Sequence, residues 1–193
     1  MLRAPTVIAI LAALAACAPA PQRQAPAAKP AAPAPAPEAA EPRAAAGVTV
    51  SGIEQQVIAR TNAFRRQNAL AALEANARLT AIAQSHVRNM ARQDKFGDTD
   101  QNGHVLDGAD MEDRIRAGGY AFALVAENVG YQLNRGEPVA AMMDGWKNSP
   151  GHRRNLLLAQ VTEIGVGAAK GRSGRWYFVQ LFGRPPQVTK ISQ

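Results

Sequence analysis

The sequence predicts an α+β domain in which helices come first and an antiparallel β-hairpin closes the chain. Three observations carry this reading. Apolar residues recur at three- and four-residue intervals in the segments after Gly47, β-branched and aromatic residues crowd two segments near the end, and every aromatic residue lies from Phe64 onward. The foldable part of the 193 residues is therefore 47–193, enough for one hydrophobic core and too short for a second domain.

Taken in order, Ser51-Gly52-Ile53-Glu54 has the spacing of a capping box, and Ile53, Val57, Ile58 and Phe64 follow at helical intervals, so a first helix is expected from Gly52 to Gln67. Leu79, Ile82, Ala83, His86, Val87 and Met90 repeat the rhythm and predict a second amphipathic helix. A short helix fits Met111–Ala117, stopped by Gly118-Gly119. Another fits Pro138–Lys147 with proline at its start, and Ser149-Pro150 reads as one more helix start, Ser149 serving as cap. Val161–Ala169 and Arg175–Phe182 then form the hairpin, turning through Lys170 to Gly174.

The segment before the domain cannot fold by itself. Between Ala18 and Ala46 alanine and proline supply 22 of 29 residues, which leaves almost nothing bulky to bury. A polyproline-like chain rises about 3.1 Å per residue, so this stretch would act as a spacer of up to about 90 Å. Ahead of it, Arg3, an apolar run from Val7 to Ala16 too short to span a bilayer, and Leu14-Ala15-Ala16-Cys17 read as a secretory signal ending in a lipobox. The expected organisation is residues 1–16 as signal peptide, 17–46 as a lipidated cysteine and linker, and 47–193 as the domain. The mature protein would be extracytoplasmic, held to the membrane of the bacterial envelope by lipid on Cys17.

Cys17 is the only cysteine, so a disulfide framework or a cysteine-rich metal site is excluded. The domain carries 18 Lys+Arg against 13 Asp+Glu, net +5. Outside the cytoplasm that mild basicity offers no reason to expect nucleic acid, and a solvated basic surface on a monomer explains it.

Polar, glycine-containing clusters interrupt the apolar elements at Gly103-His104, Glu127-Asn128-Val129-Gly130 and Ser149-Pro150-Gly151-His152-Arg153-Arg154-Asn155, where function commonly resides. His86 lies on the apolar stripe of the second helix and reads as a core histidine bonded to backbone. Asp98-Thr99-Asp100-Gln101-Asn102-Gly103 reproduces the first half of an EF-hand loop, with Asp98, Asp100 and Asn102 as its calcium ligands. The twelfth position of that loop is Ala109, where a bidentate glutamate should stand, so a polar surface loop is the better reading. There is no Gly-x-Ser-x-Gly elbow, and covalent catalysis is not expected.

The ordered set of His104, Arg114, Gly119-Tyr120, Glu127-Asn128, Trp146, Ser149-Pro150-Gly151-His152-Arg153, Glu163-Ile164-Gly165-Val166-Gly167 and Tyr177 to Phe182 resembles the CAP superfamily. These are the cysteine-rich secretory, antigen 5 and pathogenesis-related proteins with an SCP-like domain, here in the disulfide-free bacterial form. The resemblance spans about Ile53 to Gly183. It implies an α-β-α sandwich, a small antiparallel sheet flanked by helices, whose open cleft holds two histidines and one or two glutamates.

By position these would be His104, Glu127 and His152, with Glu112 as first choice for a fourth member and Glu163 as second. The resemblance further implies zinc or another divalent cation on His104 and His152, with the glutamates orienting them. The expected function is an envelope-anchored module that binds a small, lipidic or cell-wall ligand in this cleft. Two alternatives stand beside it: a metal-dependent hydrolase using Glu127 or Glu112 as base, and a structural envelope protein.

Overall fold

A computed structural model describes residues 51–99, 102–133 and 136–187. The signal, Cys17, the Ala/Pro stretch and Asp100 lie outside the described residues. The elements are α1 (Gly52–Gln67), β1 (Glu74–Ala75), α2 (Ala77–Gln93), α3 (Met111–Ala117), β2 (Leu124–Gln132), α4 (Pro138–Asn148), α5 (Pro150–Leu156), β3 (Glu163–Lys170) and β4 (Trp176–Arg184). Ser51 caps α1 in the reciprocal box with Glu54, and Asp110 does the same for α3 with Asp113. Ser149 occupies the expected cap position, but its side chain makes no capping hydrogen bond.

The four strands form one sheet in the order β1-β3-β4-β2, with β3/β4 and β4/β2 antiparallel and the two-residue β1 parallel to β3. Two of these strands differ from the sequence expectation. β1 escaped notice because two residues carry no periodicity. β2 runs through Glu127-Asn128-Val129-Gly130, expected as a loop cluster, because pairing of Glu127 with Leu181 and Asn128 with Gln180 overrides the polar composition.

Strand alternation sorts the core into two layers. Ile164, Val166, Phe178 and Phe182 face Val57 of α1, Val139, Met143 and Trp146 of α4 and Leu156 of α5. Val129, Tyr177, Val179 and Leu181 face the other way, onto Leu79, Ala83, Val87 and Met90 of α2 and Ile115 of α3. Helices thus cover both faces of the sheet, an α-β-α sandwich. Gly165 and Gly167 lie on the α2 side, and a methyl on Gly165 would sit 2.2 Å from the Leu79 carbonyl carbon. Bare α-carbons at these positions let the helix backbone rest on the sheet.

Several buried polar groups are paired across the layers. Arg65 donates to the carbonyls of Ala71, Leu156 and Leu158, tying α1 to the end of α5. The Gln180 amide donates to Thr61 Oγ1, Asn128 Nδ2 donates to Gln180 Oε1, and Asn155 Nδ2 donates to Asn128 Oδ1, so a chain of hydrogen bonds runs through the sheet to β2. No helix among the described residues is long and apolar enough to cross a membrane.

The close seat of α2 gives a direct test. Gly165→Ala pushes a methyl into helix backbone rather than a movable side chain, and should cost about 3 kcal/mol or more of folding stability. Urea denaturation checks it; an unchanged midpoint would mean that α2 does not rest on this glycine.

Candidate functional site

The site grows from the connection between α2 and α3, residues with no regular structure that are held by side chains instead. Asp98 accepts from the backbone N–H of Asp107 (3.0 Å) and Gly108 (3.0 Å), and Asn102 Oδ1 accepts from the N–H of His104 (3.0 Å). The amides of Gly108 and Asp107 hold the Asp98 carboxyl below its usual range. These oxygens, which the EF-hand pattern would give to calcium, close the loop by hydrogen bonds. Gly103 is required here, since a Cβ would lie 2.5 Å from the Phe96 ring.

His86 reaches the same segment from below. It is buried, and its Nε2 donates to the Gly103 carbonyl at 2.8 Å, because a carbonyl can only accept. Burial, and then the charge of Arg114, lower its pKa.

At the centre stands Glu127 on β2, its side chain 1% exposed. His104 Nδ1–H donates to Glu127 Oε2 at 2.8 Å, and Arg114 Nη2 straddles both carboxylate oxygens at 2.8 and 3.0 Å. The other arm of the guanidinium, Nη1, donates to the carbonyls of His104 (2.8 Å) and Ala109 (2.9 Å). One arginine therefore fixes both the acid and the loop that carries the imidazole. His104 keeps 44% of its side chain exposed, with Nδ1 spent on Glu127 and Nε2 left as its remaining ring nitrogen. Beside it opens a hollow of about 400 Å³ lined by His104, Glu127, Glu112, Asp110, Met111 and Asn155.

His152 reaches the centre from the far side of β2. It is the third residue of α5, not a loop residue, and its carbonyl accepts from Asn128 Nδ2 at 3.2 Å. Its ring stands 6.5 Å from that of Trp146 and lines a separate hollow with Phe96, Tyr131 and Met142. Burial, and then the charge of His104, lower its pKa.

The two candidates for a fourth member part company. Glu112 lines the first hollow but is exposed and ion-paired with Arg116 at 2.7 Å, one turn away on α3. Glu163 opens β3 and accepts from the Tyr120 hydroxyl. It is not among the groups lining the hollow.

Arg114 is the central residue to which sequence reasoning assigned no role. A signal was available: three and four residues after Met111, Arg114 and Ile115 share the inward side of α3, and a cation on a helix's inner side needs a buried acid.

Among the described residues no three His, Cys, Asp or Glu side chains are grouped as a metal cage. The donor set that suits a cation is narrower: two imidazoles, one of them oriented by a carboxylate behind it. The Arg114–Glu127 pair can be tested by stability alone. Arg114→Met leaves Glu127 buried without its cation and should cost about 3 kcal/mol, while Arg114→Lys should recover less than half, since one ammonium cannot serve both oxygens and two carbonyls. Chemical denaturation checks this; a fully stable Arg114→Met protein would contradict it.

The model of the cysteine-rich secretory protein family (CAP) matches residues 58–182. Two curated Bacillus subtilis proteins are similar: an uncharacterized membrane protein, YlbC, 31% identical over 67% of this chain and 34% of its own length, and YkwD, 28% identical over 72% of this chain and 51% of its own. The chain thus spans about a third to a half of these relatives. Among solved structures, an extracellular SCP-domain protein from Bacillus anthracis is 30% identical over 69% of this chain and 40% of its own, with a TM-score of 0.59. An outer surface protein of Borrelia burgdorferi shares the fold, at 21% identity and a TM-score of 0.60 over 72% of this chain and 97% of its own. The matched residues run from within α1 to within β4 and include the whole of the Glu127 centre, and the chain belongs to the CAP family of cysteine-rich secretory proteins.

Proposed function

We propose that this protein is an envelope-anchored binding module whose cleft, built around Glu127, His104 and His152, holds a small, lipidic or cell-wall ligand with the help of a divalent cation. The observation that carries the reading is the buried Glu127–His104 pair. A carboxylate that accepts from Nδ1–H fixes one imidazole tautomer and turns Nε2 outward as a lone-pair donor, the arrangement behind many histidine ligands of zinc. His104 and His152 would hold the ion, which would supply Lewis acidity and a point of attachment for a ligand oxygen. The lowered pKa of His152 keeps that ring neutral, as a ligand must be.

Binding is favoured over hydrolysis by the state of Glu127. Both its oxygens already accept hydrogen bonds from Arg114 and His104, so it is built to position an imidazole and poorly placed to take a proton from water. Glu112 is exposed on the rim and paired with Arg116. The extracellular and surface neighbours support an extracytoplasmic setting, and the lipobox at Cys17 supplies its anchor.

Three outcomes follow. Calorimetric titration of the mature chain with Zn²⁺ should show uptake that drops at least tenfold in His104→Ala and in His152→Ala; uptake in both variants unchanged from the unsubstituted chain would end the cation reading. Because protons compete for the ring nitrogens, affinity should fall as pH drops through the imidazole range near 6.5, with His152 failing at a lower pH than a free imidazole would. For the anchor, Cys17→Ser should move the protein from the membrane to the soluble fraction or block its maturation, and unchanged fractionation would refute lipidation.

A further inference from the structure

At the edge strand β2 the structure contains a second hollow, of about 310 Å³, walled by rings from both layers. Phe96 and Tyr131 meet edge to face, with centroids 5.0 Å apart and planes at 66°. Opposite them stand Trp146 and His152, tilted at 47° with centroids 6.5 Å apart. Its other walls are Val129, Gly130, Met142, Gly145 and Ser149, and among the described residues no acid, lysine or arginine lines it.

One polar atom in this wall is unaccounted for. Trp146 is 1% exposed, yet its indole Nε1 has no hydrogen-bond partner among the described residues. An indole N–H can only donate, and a buried donor left unpaired is destabilising. Nε1 lies against the bare α-carbon of Gly130, 3.3 Å from where a Cβ would stand, and the thioether end of Met142 lies over the same point. Met142 is the unbranched, adaptable side chain of the group, able to move aside and uncover the N–H.

We infer that this hollow is a binding site for a neutral aromatic ring bearing an oxygen acceptor, the ring lying between the Phe96–Tyr131 and Trp146–His152 pairs and the oxygen accepting from Trp146 Nε1. A flat ring meets four aromatic walls by edge and face contacts that a saturated ring or chain cannot make. A group without an acceptor would leave the indole N–H as it is now. Among the described residues the lining offers no opposite charge to a carboxylate or ammonium, which favours a neutral group as the one inserted. The site goes beyond the proposed cation cleft and does not depend on an ion being bound.

The test is nitrogen–proton NMR of the full mature chain, whose two tryptophans give two indole N–H signals, assigned with Trp176→Phe. Benzyl alcohol should shift the Trp146 signal downfield in a saturable way. Toluene, the ring without the oxygen, should bind without that downfield shift, and cyclohexylmethanol, the oxygen without the aromatic ring, should bind at least several-fold more weakly.

Gly145→Leu grows a side chain where the nearest atom to a new Cβ is the Met142 methyl at 3.9 Å, and should plug the hollow and weaken benzyl alcohol at least tenfold. Tyr131→Ala, a change at a 40% exposed side chain, should weaken it several-fold and serves if the leucine variant does not fold. His104→Ala, which tests the cation reading, should leave this response in place. Failure of benzyl alcohol to give a saturable Trp146 shift, an undiminished response in folded Gly145→Leu or in Tyr131→Ala, or equal binding of cyclohexylmethanol would overturn the assignment.

Discussion

A single buried carboxylate organises the functional end of this domain. Glu127 points into the layer between sheet and α2, where an acid without partners would be costly, and two donors answer it. Arg114 comes from α3 and His104 from the loop before it, so the charge pairing also decides where that loop lies. Because the same guanidinium binds the His104 and Ala109 carbonyls, the loop, α3 and β2 are locked by one side chain. The rest of the molecule supports this point. Gly165 and Gly167 bring α2 onto the sheet, α2 places His86 beneath Gly103, and His86 holds the carbonyl next to the imidazole that matters.

β2 is the dividing line of the site. It is the edge strand of the sheet, and its alternation sends Glu127 to the α2 side while Asn128 and Gly130 face α4 and α5. The two histidines therefore approach the edge of β2 from opposite layers, close enough for the charge of His104 to act on His152, and each also lines a hollow of its own, one polar and rimmed by acids, the other aromatic. The buried chain from Thr61 through Gln180 and Asn128 to Asn155 joins them, because Asn155 also donates to the Glu127 carbonyl at 2.9 Å.

Much of the fold was legible from local signals. The capping box at Ser51 and Glu54, the proline at the start of α4 and the glycines after α3 are short-range features, and the helices they bound appear where expected. The hairpin was equally readable from its composition. β2 was not, because its middle is built from a charged residue, an amide and a glycine whose reason for being there is the site and not the strand. β1 exists only through pairing with Glu163 and Ile164, some ninety positions away, and no local pattern encodes that. Among the site residues, His104, Glu127 and His152 were named through the family resemblance. Their division between two hollows, and the partnership of Arg114 with Glu127 rather than with neighbouring Glu112, are consequences of how the layers pack.

Glu127 sets which nitrogen of His104 keeps the proton, and nitrogen NMR of the His104 imidazole reads that directly. The expected result is a ring whose neutral form keeps its proton on Nδ1 and leaves Nε2 bare, a preference that disappears in Glu127→Ala. A ring protonated on Nε2, or an even mixture of tautomers that Glu127→Ala leaves unchanged, would contradict it.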